Sequence, residues 1–185
     1  VGYLVRLEVL MLKYLIRIST FFSRIVAEID YIYHRLRGQA ASVEAFEALL
    51  QKVQNYSPDQ FNEYLRKHFT YKADKIDYSM HYLVFLHKKQ GDCDDYAHLA
   101  ARLLERMGYE TYLCCVFADT ERGHCVCIAQ KDGLIFGFGN WPLMVFESFD
   151  FESVGKRICE IGYNARPKFI VKFDSRWKWE DFYQA

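Results

Sequence analysis

Up to about residue 107, apolar residues recur at intervals of three and four. Beyond residue 110 they fall into short runs rich in β-branched and aromatic side chains, so helices are expected first and strands after them. Residues 1–37 are crowded with Leu, Ile, Tyr and Phe. Arg6, Glu8, Lys13, Arg17, Arg24, Glu28 and Asp30 interrupt them too often for a membrane span, which needs ~20 apolar residues. One long or two shorter amphipathic helices are expected there, packed on the domain or on another copy of it. A membrane-surface helix is the alternative, because basic residues alternate with bulky apolar ones. Gly38-Gln39-Ala40 breaks the pattern, and Ser42 then caps a helix carrying Val43, Phe46, Leu49, Leu50 and Val53. Ser57-Pro58-Asp59-Gln60 combines a cap, a first-position proline and a Gln three residues after the cap, so a helix is expected from 58 to about 68.

Phe69 to Asp74 reads as an extended arm leading to the apolar run Tyr82–Leu86, and residues 93–107 form the clearest helix, ending at Gly108. Strands are expected at 110–118, 123–130, 134–141, 144–149, 156–162 and 168–173. The fold class is therefore α+β, with N-terminal helices packed on an antiparallel sheet. Residues 1–54 read as a helical extension and 55–185 as the main domain.

Charge removes one class of partner. Lys plus Arg and Asp plus Glu number 24 each, so the chain lacks the basic excess that counterion release on nucleic acid requires. The six cysteines, at 93, 114, 115, 125, 127 and 159, show neither a small-scaffold disulfide framework nor a CxxC pair. A reduced, cytoplasmic setting is the expectation, since the first residues carry no basic leader or small-residue cleavage site.

The sharpest chemistry lies in Gly91-Asp92-Cys93-Asp94-Asp95-Tyr96-Ala97, which opens the helix at 93. Tyr96, Ala97, Leu99, Ala100, Leu103, Leu104 and Met107 bury one side of that helix and hold Cys93 in its first turn. Free amides and the positive end of the dipole favour a thiolate there, the form that attacks carbonyl carbon. The three aspartates oppose this, so a paired imidazolium is needed. Residues 123–130 and 134–141 flank Lys131-Asp132-Gly133 as a hairpin. A three-residue loop centred on Asp132 sets His124 opposite Asn140. Cys93, His124 and Asn140 then form the candidate catalytic set, nucleophile, base and orienting group. Cys114, Cys115, Cys125 and Cys127 offer a rival zinc reading with His124, but strand alternation splits these side chains between the two faces, and buried packing is expected instead. No metal and no cofactor is expected.

The Cys93 block, the helix to Gly108-Tyr109, Gly123-His124 and the hairpin resemble the transglutaminase-like superfamily, and are most similar to its bacterial cysteine proteinases. The likeness covers roughly residues 55–175. It implies a papain-type fold with Cys93 as nucleophile and His124 as base; the family's third member is commonly Asp, where this chain carries Asn140. The expected activity is hydrolysis of an amide in a protein or peptide substrate through a thioester. Transamidation, and a non-catalytic binding module docking or self-associating through residues 1–50, are the alternatives.

Overall fold

The computed structural model describes residues 2–73, 79–120 and 122–184. A 35-residue helix α1 (Gly2–Leu36) is followed by α2 (Val43–Val53) and α3 (Pro58–His68). Ser42 and Ser57 cap α2 and α3 as their sequence signatures predict, and Gln60 returns its side chain to the Ser57 amide at 2.9 Å. The extended arm is realised as β1 (Thr70–Tyr71); Asp74, its last residue, lies outside the described residues. The apolar run after it forms a short helix, α4 (Tyr82–Lys88), which His81 caps and a left-handed Lys89 ends. β2 (Gln90–Gly91) pairs in parallel with β1, and α5 (Cys93–Arg106) follows at once.

The remaining elements are β3 (Glu110–Ala118), β4 (Gly123–Lys131), β5 (Leu134–Phe138), β6 (Met144–Phe146), α6 (Phe151–Tyr163), β7 (Pro167–Phe173) and β8 (Trp179–Gln184). They build a six-stranded antiparallel sheet in the order β6-β5-β4-β3-β7-β8. Residues 156–162, expected as a strand, lie within α6. Asp150 caps this helix by accepting from the Ser153 amide, and Val154, Ile158 and Cys159 recur at helical spacing on its buried side.

Alternation along β3 and β4 divides the core in two. Leu113, Cys115, Cys125 and Cys127 face α5, α2 and α3; Tyr112, Cys114, Val116, Val126 and Ile128 face α6. Phe46, Leu49, Leu50 and Val53 of α2 belong to the first of these clusters. α1 lies against α4 and β8, with Arg17 over the Trp179 ring at 4.2 Å and Tyr31 stacked on His81 at 4.1 Å. Met11, Leu15, Phe22 and Ile29 on α1 remain exposed. Among the described residues no helix is long and apolar enough to cross a membrane.

Candidate active site

Cys93 is the first residue of α5, and buried Asp95 holds it there. The Asp95 carboxylate accepts the Met80 amide at 2.7 Å and the Asp92 amide at 3.1 Å, tying the start of α5 to the segment before α4. Gly91 lets that carboxylate close in, since a Cβ there would lie 2.1 Å from Asp95 Oδ2. The Cys93 sulfur accepts the Cys125 amide of β4, which favours a thiolate. Burial first, and then the charge of Asp94, push the thiol far up in spite of it. Burial, with the aspartates adding to it, therefore outweighs the helix-start influence expected from the sequence and disfavours the Cys93 thiolate. Asp94 is itself raised by burial and by its hydrogen bond with Asp92.

His124 stands at the start of β4, buried, its ring stacked on Trp141 with centroids 3.7 Å apart and planes 18° from parallel. Burial lowers the imidazole to about 3, so the ring rests neutral, and the same burial opposes its protonation. Trp141 is braced edge-on by Tyr163, whose hydroxyl donates to the Gly123 carbonyl at 2.8 Å. Asn62 of α3 clamps the same turn, its amide donating to the Trp141 carbonyl at 2.8 Å and its oxygen accepting the Gly139 amide at 3.1 Å.

The hairpin differs from its expected register by one residue. Lys131 pairs with Leu134 and Cys127 with Phe138, around a two-residue turn in which Asp132 and Gly133 both have positive φ. The right-handed twist of paired strands favours that turn over the three-residue loop. Continued beyond its last pair, Cys127 with Phe138, that register would set residue 141 rather than Asn140 opposite His124. β5 ends at Phe138, and residues 139–141 leave the sheet in a bend. His124 Nε2 and Asn140 Oδ1 are both buried without a hydrogen-bond partner.

Cys93 and His124 both line one cavity of about 1150 Å³, together with Tyr71, Phe117 and, from α1, Phe21 and Ile25. His81 and His98 reach the same wall, lowered by burial to about 4 and about 3. Trp141, Tyr163 and Asn62 are the site residues that sequence reasoning missed. Trp141 belongs to no motif, and Asn62 acts across 77 and 79 residues of chain.

Residues 37–141, more than half of the chain, match the profile of the transglutaminase-like superfamily. The chain belongs to that superfamily. Legionella pneumophila LapG, a bacterial transglutaminase-like cysteine protease, has a similar fold. Its calcium-bound structure superposes with a TM-score of 0.52 and 15% identity over 76% of each chain. A second LapG structure gives a TM-score of 0.51 and 14% identity over 76% of this chain and 74% of its own. No curated protein sequence matches. In this transglutaminase-like chain Asn62 is a buried clamp on the turn carrying Trp141. Asn62→Ala strips two hydrogen bonds from buried backbone, and a loss of about 2–4 kcal/mol is expected, read as a lower urea midpoint at unchanged slope.

Proposed function

We propose that the protein is a cysteine peptidase or amidase that cleaves an amide bond through a thioester on Cys93. The observation that carries this reading is the convergence of Cys93, held at the start of a buried helix, and a neutral His124 on the wall of one cavity. The Cys93 sulfur attacks the substrate carbonyl as His124 accepts the thiol proton. The Trp141 face fixes the imidazole plane. Backbone amides at the very start of α5, ahead of the Asp95 amide that Asp92 caps, supply donors for the oxyanion. His124 then protonates the departing amine, and water, deprotonated by the same imidazole, resolves the thioester. Asn140 takes the third position: its Oδ1 and His124 Nε2 each lack a partner, and one hydrogen bond between them satisfies both.

Catalytic contacts commonly tighten only when substrate is bound, so an imidazole without a partner in the resting site is compatible with this reading. The experiment is a comparison of new peptide N-termini after incubating a denatured protein mixture with the wild type or Cys93→Ala. Cleavage sites seen only with the wild type are expected; identical profiles would refute the reading. The exposed apolar side of α1 favours a second reading, a module that docks on a protein partner or a membrane surface, and that reading predicts identical profiles.

The acidic residues around Cys93 also fit a hard divalent cation. One oxygen each of Asp92, Asp94 and Asp95 lie within 4.8 Å of one another, and Asp92 Oδ1 and Asp94 Oδ1 are buried without hydrogen-bond partners. One of the similar LapG structures is calcium-bound. Asp92 and Asp94 would hold the cation, which would offset the carboxylate charge that adds to burial in disfavouring the Cys93 thiolate. Calcium is expected to raise the melting temperature by several degrees, reversibly on adding EGTA, and to do so far less in Asp94→Asn. An unchanged melting temperature in the wild type would remove the cation from the account.

A further inference from the structure

Two of the other cysteines form a built pair beside the nucleophile. The β3–β4 register sets Cys115 directly opposite Cys125, on the sheet face turned toward α5, with the two sulfurs 2.6 Å apart. Directly opposed residues of antiparallel strands have Cα atoms ~4.5–5.5 Å apart, inside the ~4.4–6.8 Å that a disulfide spans. Both side chains line the cavity that holds Cys93, so a small molecule entering that cleft reaches them although the fold buries them.

We propose that Cys115 and Cys125 are a redox-active dithiol that forms a reversible cross-strand disulfide when a low-molecular-weight disulfide enters the Cys93 cavity. The remaining thiols are placed differently. Cys114 and Cys159 lie in the core on the opposite face of the sheet, and Cys127 is paired with Leu113. In the first step the Cys115 thiolate attacks one sulfur of the small disulfide, giving a mixed disulfide on Cys115 and releasing one thiolate. The Cys125 thiolate then attacks the Cys115 sulfur, closing the Cys115–Cys125 bond and releasing the second thiolate. Two electrons pass from the pair to the oxidant, and the two thiol protons pass to solvent and thence to the released thiolates. Cys93 takes no part. The consequence falls on its surroundings, since the cross-link would lie in the wall of the cavity that Cys93 lines.

The test is to incubate the folded chain with oxidised glutathione, block free thiols with N-ethylmaleimide, and map the cysteines by fragmentation without reduction. A cross-link joining Cys115 to Cys125, reversed by dithiothreitol and formed equally in Cys93→Ser, is expected. Cys125→Ser should instead stop at glutathione on Cys115. Full alkylation of both residues after treatment, or a cross-link that includes Cys93, would overturn the proposal. The readout does not depend on peptidase activity, so the pair stands or falls separately from the catalytic reading.

Discussion

Replacing His124 by alanine should slow cleavage by about 10²–10⁴ and leave the fold intact, while Cys93→Ala should take cleavage to background. The reason lies in the protonation states. Burial first, and Asp94 after it, disfavour the Cys93 thiolate, so the proposed attack calls for a base at the moment of reaction. His124, whose ring rests neutral and lines the same cavity, is the base in the proposed reaction. Its removal costs the proton transfer and leaves the nucleophile in place. Asn140→Ala should cost only about tenfold, because the Trp141 stack continues to orient the ring. These rates are to be read on a peptide containing a cleavage site found in the N-terminus comparison, with circular dichroism as the check on folding. Equal rates for His124→Ala and the wild type would remove the base from the mechanism.

Asp95→Ala should destabilise the fold by about 3–5 kcal/mol, because the buried Met80 amide and the half-buried Asp92 amide both lose their acceptor. In a chain of this size that lowers the melting temperature by about 10 °C. The same carboxylate joins the Met80 segment to the start of α5, so the loss also loosens Cys93. Asp95→Asn keeps one acceptor oxygen but turns an amide NH₂ toward the other donor, and should fall between alanine and the wild type. A melting temperature within a degree or two of the wild type for Asp95→Ala would show that the start of α5 is held by other contacts.

The parts of this architecture that rest on local chemistry were legible in the sequence. Ser42, Ser57 with Gln60, and the stretch from Cys93 to Gly108 each combine a terminator with a periodic apolar face, and each forms the predicted helix. The strand misread inside α6 shows the limit. Over 156–162 a short apolar run fits either period, and only the Asp150 cap and the spacing of Val154, Ile158 and Cys159 decide for the helix. At the hairpin, Asp132-Gly133 is itself the full turn, and counting Lys131 into the loop shifted every pair by one. β8 escaped notice because a register irregularity near its Trp179 end breaks the alternation.

The placements of Cys93 at a helix start and of His124 at a strand start were legible because both are local features of the sequence. The setting of His124 was not. Its stack on Trp141 depends on Asn62 of α3 holding the turn and on Gly162 of α6 leaving room, since a Cβ there would lie 1.9 Å from the indole. No spacing within the hairpin records either neighbour.

The most direct measurement is to treat the reduced protein with limiting peptidyl chloromethyl ketone at neutral pH and locate the label by mass spectrometry, in the wild type and in His124→Ala. This account predicts a label on Cys93 alone, formed at least tenfold more slowly without the imidazole. Labelling spread over several cysteines, or the same rate at Cys93 in both proteins, would contradict it.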